Sequence, residues 1–416
     1  MSSRFSSRVS VIARALGSML TPKKPGTEPP LRILIAHHLL LGDTLMLTPL
    51  LAKLRERHPQ AEIVMLAPKA SVPLYQQRPY GVTVLPHDPR DPSTLHALYQ
   101  QSGFDLALVP GDNRYSWLAK ALGARHIVAF AGDRPAWKSW PVDELVPYPS
   151  SHPETPVAPS PLMGEGWGEG DKALKFLPLS PALSHKGRGG IENYPNIPAA
   201  WGDMVAGLIP GPAPAPYRPE SWPDPDCTPF DLPSKPYCVL HVGASSPLKL
   251  WENEKWCALA EFLESRGYQV VWSGGRGEEE LVVKLDTEGR RSSYAGRLDL
   301  TQLWHLLKNA RLLVCPDTGV AHLGRLTGTP TVALFGPGSA SIYGAGDFWR
   351  DSPYVAVTVD PFPCRDQHRL FKREIPWVQR CGRSPRECAT PHCMQAISLE
   401  VVMDAAQRLL NGSALH

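Results

Sequence analysis

Three short stretches combine acid, hydroxyl, glycine and cation in ways that suit phosphate chemistry. The most pointed is Leu312–His322, Leu-Leu-Val-Cys-Pro-Asp-Thr-Gly-Val-Ala-His, an apolar strand-like run that turns at Asp317-Thr318-Gly319 into a helical pattern. A helix N-terminus presents unpaired backbone N–H groups and partial positive charge, which suit an anion, and glycine lets a ligand approach the backbone. His322, on the first helical turn, could reach the same anion. The second stretch is Gly243-Ala-Ser-Ser-Pro-Leu-Lys249, with Ser245, Ser246 and Lys249 as candidate diphosphate contacts and Trp251 and Trp256 behind it as packing. The third holds Gly42-Asp43, again where a strand gives way to a helix. A lone carboxylate facing two turns rich in hydroxyl, glycine and cation suits an acid–base group on one side and a nucleotide diphosphate on the other.

These turns need strands and helices to hold them. Expected strands are Arg32–Ala36, Ile63–Ala67, Val82–Leu85, Asp105–Val109 and His126–Phe130, then Cys238–Val242, Gln269–Ser273, Arg311–Cys315, Thr331–Phe335 and Tyr354–Val359, with helical patterns between most of them. Strand–helix alternation predicts an α/β fold, two Rossmann-like domains whose carboxyl strand ends face a cleft. The N-terminal domain is expected over 31–209 and the C-terminal one over 237–397, with 398–416 a closing helix. Between Pro147 and Pro236 lie 20 prolines in 90 residues. Residues 151–193 there lack a periodic apolar face and read as a disordered insertion, and 210–236 as a stiff linker.

Composition narrows the classes. With 416 residues, 43% hydrophobic and 20% charged, the chain reads as a soluble two-domain protein. A net charge of +3 gives no argument for nucleic acid. No apolar run reaches the ~18 residues that span a bilayer. Residues 1–30 read as a basic, flexible lead in which Val9–Leu20 could form a short amphipathic helix against an anionic membrane. Eight cysteines include a group at Cys364, Cys381, Cys388 and Cys393, but no C-x-x-C spacing points to zinc. Around them Arg365, Arg369, Lys372, Arg373, Arg380, Arg383 and Arg386 outnumber the acids and are expected to present a basic surface.

Read in order, Leu-Gly-Asp-Thr-Leu-Met-Leu-Thr-Pro (41–49), His-Val-Gly-Ala-Ser-Ser (241–246) with Lys249, Cys-Pro-Asp-Thr-Gly-Val-Ala-His (315–322), Gly-Thr-Pro-Thr-Val-Ala-Leu-Phe-Gly-Pro (328–337) and Cys-Met-Gln-Ala-Ile-Ser (393–398) resemble family 9 glycosyltransferases, the heptosyltransferase-like enzymes of lipopolysaccharide core assembly. The resemblance implies a GT-B fold and an inverting, metal-independent transferase without a cofactor, whose substrate is a nucleotide-sugar donor, usually ADP-heptose. It implies a lipid-linked oligosaccharide acceptor; the enzyme is expected to be cytoplasmic, and the basic lead could hold it peripherally on the anionic inner face of the cytoplasmic membrane. Asp43 takes the position of the proposed general base; Ser245, Ser246 and Lys249 that of the diphosphate contacts; Asp317, Thr318, Gly319 and His322 that of the donor turn. Glu278 or Glu279 could hold the ribose or base. Where the family commonly has an arginine before the Gly-Asp pair, this chain has His37 and His38, which bears on acceptor contacts. A sugar-nucleotide epimerase, another nucleotide-sugar transferase, and an inactive sugar-nucleotide-binding partner are the alternatives.

Overall fold

The computed structural model describes residues 3–20, 29–147 and 200–412. The expected insertion at 151–193 lies outside them. The first half carries helix α1 (Ser3–Leu20), β1 (Arg32–Ile35), α2 (Leu41–Leu45), α3 (Thr48–Arg57), β2 (Glu62–Ala67), β3 (Val82–Pro86), α4 (Pro92–Tyr99), β4 (Leu106–Val109), α5 (Tyr115–Ala121), β5 (His126–Phe130), β6 (Glu144–Val146) and α6 (Trp201–Ala206). Its six strands pair in the order β3-β2-β1-β4-β5-β6, all parallel. Alternation along β1 sends Ile33 and Ile35 into one buried cluster and Leu34 and Ala36 into another, so helices cover both faces. The helical stretch after Gly42 is two helices, since Met46 and Leu47 interrupt it and Thr48-Pro49 starts α3.

The second half carries β7 (Tyr237–His241), α7 (Asn253–Glu264), β8 (Gln269–Ser273), α8 (Glu279–Leu285), α9 (Leu300–Lys308), β9 (Leu312–Pro316), α10 (Gly319–Thr327), β10 (Thr331–Phe335), α11 (Ala340–Tyr343), β11 (Tyr354–Thr358), the short hairpin β12 (Arg369–Leu370) and β13 (Arg373–Glu374), α12 (His392–Gln395) and α13 (Leu399–Leu410). Its five-stranded sheet runs β11-β10-β9-β7-β8, also parallel. In each sheet the strand order reverses beside its first strand, between β1 and β4 and between β7 and β9. Loops leaving the two strands on either side of such a reversal splay apart and leave a crevice at their carboxyl ends. The Gly42-Asp43, Gly243–Lys249 and Asp317–Gly319 turns all leave strands at these two points.

One buried cluster joins the halves. It runs from Ile33 and Met65 through Trp201, Tyr217, Trp222 and Trp304 to Val239 and Leu313. The proline-rich 210–236 stretch, expected as a linker, is therefore packed: Tyr217 donates its hydroxyl to Leu326 O at 2.6 Å, and Trp222 donates Nε1–H to Leu74 O at 3.1 Å. In the basic lead, α1 covers the Val9–Leu20 stretch weighed as a short amphipathic helix and begins earlier, at Ser3. In α1, Ala15 is fully buried against Trp117 and Ala121, and Arg14 donates to Ala121 O at 3.0 Å with its guanidinium 4.4 Å from the Tyr99 ring centre. Single-sequence charge counting missed this because the docking face is narrow and made of small residues.

Candidate active site

Asp43 lies in the first turn of α2, but it does not cap that helix: the N-cap is Leu40, which has no capping side chain. The tight approach of two elements fixes where it sits. A Cβ on Gly42 would come within 2.9 Å of His322 Cδ2 and 3.3 Å of Gly319 Cα, and one on Gly319 within 3.0 Å of Leu41 Cδ2. Two glycines thus let α2 of the first half touch the start of α10 in the second. Asp43 then faces Asp317, Lys249 and Arg380 across the junction. Loss of hydration, followed by the Asp317 carboxylate, raises its pKa to about 7, against the opposing pull of Lys249 and Arg380. A carboxyl near neutrality accepts a proton more readily than an ordinary aspartate, which is what a general base needs.

The residues expected on the donor side converge as the strand ends direct. Lys249 donates to the Asp317 carboxylate at 2.9 Å and to its carbonyl at 2.6 Å, so the loops after β7 and β9 meet there. Thr318 caps α10 by accepting from Val320 N at 3.3 Å, and Ser246 caps the turn that carries Lys249. Ser245 is exposed on the same loop. Glu278 and Glu279 separate: Glu278 accepts from Gly275 N at 2.6 Å and lies where a Gly243 side chain would go, whereas Glu279 lies against Gly296. Glu278 therefore joins the Gly243–Lys249 turn and Glu279 does not. His322 is buried against Gly42, with Nδ1 unpartnered among the described residues, and burial drives its pKa well below the ordinary value. It is neutral and serves the junction between α2 and α10.

On the other side of Asp43 opens a pocket of about 480 Å³, whose wall includes His37, His38, Asp112, Arg114 and Lys372. His37 Nδ1 accepts from Leu39 N at 3.2 Å, so its proton sits on Nε2, which has no partner among the described residues. Burial, then His38 and His87, lowers its pKa to about 3. Its ring stands neutral in the pocket wall with Nε2 buried. His38 Nδ1 lies 3.1 Å from His87 O and donates to it.

Of the basic surface expected at 365–386, Arg369, Lys372 and Arg386 are exposed, Arg380 and Arg383 are half-buried, and Arg365 and Arg373 turn inward. Arg365 is buried, donating to Gly336 O at 2.9 Å, Phe335 O at 3.0 Å and Thr358 Oγ1 at 2.9 Å, where β10 and β11 end. Arg373 crosses to the first sheet and donates to Gly111 O, Asn113 Oδ1 and Ala131 O at 3.0, 2.8 and 2.9 Å. Arg383 pairs with Asp366 at 2.8 Å and Arg369 with Glu374. Backbone carbonyls at strand ends attract arginine as strongly as solvent does, and a charge count cannot tell the two apart. Arg380, which faces Asp43 and Tyr343, is the site residue that the sequence reading placed on the surface. Among the described residues no group of three or more His, Cys, Asp or Glu is arranged to hold a metal ion, and no helix is long and apolar enough to cross a membrane.

Comparison with known proteins agrees with the motifs. Residues 208–362 match the family model for glycosyltransferase family 9 (heptosyltransferase). Lipopolysaccharide heptosyltransferase 1 of Pseudomonas aeruginosa is 31% identical over 156 residues, covering 35% of this chain and 44% of that protein. Lipopolysaccharide heptosyltransferase 2 of Escherichia coli K12 is 32% identical over 121 residues, 27% of this chain and 35% of that protein. The alignments thus span less than half of these relatives' length. By fold, the chain is similar to the solved E. coli ADP-heptose lipopolysaccharide heptosyltransferase II, with a TM-score of 0.59 at 18% identity, covering 92% of this chain and 99% of that one. The chain has the two-domain Rossmann-like GT-B fold, and its similarity is to family 9 glycosyltransferases.

Proposed function

We propose that this chain is an inverting glycosyltransferase that moves a heptose from ADP-heptose onto a lipopolysaccharide-core or related glycolipid acceptor at the cytoplasmic face of the membrane. One observation carries the reading: a carboxyl with its pKa raised to about 7 stands where the first sheet's pocket meets the Lys249–Asp317–Thr318 turn of the second. An acceptor hydroxyl in the pocket gives its proton to Asp43. Its oxygen attacks the anomeric carbon from the face opposite the nucleotide, and the bond from that carbon to the diphosphate oxygen breaks. The nucleoside diphosphate leaves with the electron pair, and configuration inverts. Lys249 and the N-terminal N–H groups of α10 stabilise the charge on the departing diphosphate, so transfer proceeds without a metal. Glu278 and the hydroxyls of Ser245 and Ser246 lie on the same side, where they support the nucleoside and diphosphate.

Asp43→Asn keeps size and hydrogen-bonding capacity but removes the base. Transfer to a lipid-core acceptor should fall ~10²–10⁴-fold in kcat with donor Kd unchanged. Proton NMR of the wild-type product should show the anomeric configuration opposite to that of the donor. Wild-type turnover in the Asn variant would remove Asp43 from catalysis. Conversion of the sugar nucleotide with no acceptor present would point to an epimerase.

A further inference from the structure

Helix α1 has apolar residues on two adjacent faces, and the fold uses one. Val11, Ala15 and Met19 turn toward α5 and Trp117. Val9, Ile12, Leu16 and Leu20 face outward and are 50%, 42%, 49% and 84% exposed. At 100° per residue these four fall within an arc of about 80°, a single stripe beside the packed face and turned about 100° from it. Monomeric surfaces scatter single apolar residues, but a continuous stripe of long aliphatic side chains marks a face that meets something.

Two tryptophans extend it. Trp117, on which α1 packs, donates its Nε1–H to Trp137 O at 3.0 Å, and its ring centre is 6.5 Å from that of Trp140. Trp137 and Trp140 are themselves 43% and 70% exposed. Exposed indoles beside an aliphatic stripe suit a lipid–water boundary, where the ring enters the acyl edge and the N–H stays wet. The charge agrees. Residues 3–20 contain Arg4, Arg8 and Arg14 and no acid. Arg8 lies on the wall of the pocket that Asp43 also lines, as does Leu40, which is 74% exposed. Helix α1, which carries the stripe, thus borders the pocket.

We propose that the outer face of α1, with Trp137 and Trp140, docks on a bilayer surface containing anionic phospholipid, and that this presents the Asp43 pocket to an acceptor held in the same membrane. The acceptor's place in this rests on the transferase reading; the docking does not. The helix lies in the interface plane with Val9, Ile12, Leu16 and Leu20 in the acyl boundary, while its other face stays bound to α5. Arginines of α1 add attraction to anionic headgroups that weakens as salt rises.

The test is sedimentation of the whole chain with vesicles of 30% phosphatidylglycerol in phosphatidylcholine, compared with phosphatidylcholine alone. Wild type should partition onto the anionic vesicles, with binding reduced several-fold between 50 and 300 mM salt, on the order of what screening of a few surface charges gives. Ile12→Glu/Leu16→Glu should cut partitioning about tenfold or more, as buried charge at a lipid boundary does, with wild-type circular dichroism and Tm. Trp140→Ser, which alters neither α1 nor α5, should weaken binding in the same assay. On a water-soluble, delipidated acceptor these variants should keep wild-type rates and lose rate only on acceptor in vesicles. Vesicle binding equal to wild type in both variants, or none in wild type, overturns the proposal. So does gel filtration showing a dimer that the Glu pair dissociates while vesicles go unbound, because a second copy would then cover the stripe. Vesicle binding without any transfer to either acceptor would leave the docking standing and sink the transferase reading.

Discussion

Asp43 is where opposing fields set one proton. Loss of hydration and the Asp317 carboxylate push its pKa up to about 7, and Lys249 and Arg380 pull back. The rate should follow the carboxylate form, so kcat/KM should fall about tenfold per pH unit below ~7 and level off above it. Stability runs the other way. A carboxyl whose folded pKa lies above its unfolded value binds more protons when folded, so stability is lost as pH rises from about 4 through 7. Asp43→Asn should therefore melt close to wild type at about pH 4 and several degrees above it at pH 8; an equal difference at both would mean that Asp43 is ordinarily hydrated. Lys249 supports the opposite charge. Its ammonium is already held on the Asp317 side of the junction, so Lys249→Ala should raise the Kd for the nucleotide sugar by ~10-fold or more, the worth of a charge-assisted hydrogen bond. Thr318→Val loosens the start of α10 and should have a smaller effect on the same constant. Calorimetry with wild-type affinity in both variants would take the diphosphate away from this turn.

At the scale of elements, most strands of the two sheets were legible because they are short apolar runs, most of them closed within two residues by glycine, proline or aspartate, whereas the half-exposed β6 and the two-residue strands β12 and β13 carry no such run and were not expected. The three site turns were legible for the same reason: they begin where those runs stop. What stayed hidden depends on contacts distant in sequence. Nothing local tells Glu278 from Glu279; one lies over Gly243 and the other over Gly296. Nothing local tells that Arg373 crosses to Gly111 and Asn113 while Arg386 stays in solvent. The 210–236 stretch shows the limit clearly. Its prolines forbid regular structure, which reads as a tether, yet the aromatics between them staple both halves. Trp222 lies beside Tyr75 at 4.9 Å and Trp304 at 5.9 Å between ring centres, and its N–H is bonded to Leu74 O. Trp222→Ala should cost ~3–5 kcal/mol, as other buried Trp truncations do. Urea unfolding should show the midpoint drop. A loss below ~1 kcal/mol would restore the tether reading.

At the scale of the whole molecule, two sheets are held in one orientation by a core they share and by a junction with no room for a side chain. Trp201, Tyr217 and Trp304 fill the core, while Gly42 and Gly319 make the junction. That junction sets the distance between Asp43 and the Lys249–Asp317 pair, and hence between base and leaving group. Gly42→Ala tests it directly. The new methyl would sit 2.9 Å from His322 Cδ2 and 3.3 Å from the backbone of Gly319. His322 is buried with α10 packed around it, so the ring has little room to retreat. Relief must come from moving α2 away from α10, which separates the two halves of the site. Overpacking of this kind costs ~1–3 kcal/mol, and a shift of about 1 Å at a reacting centre costs on the order of 10²-fold in rate. Gly42→Ala should thus lower both Tm and kcat while leaving the nucleotide Kd near wild type, since the donor groups all move with the second half. His322→Ala in the same chain removes the closer clash. The double variant should recover stability relative to the sum of the two singles, the non-additivity expected of groups in contact. Additive losses, or a Gly42→Ala protein with wild-type Tm and turnover, would show that α2 and α10 are not the elements that set the spacing.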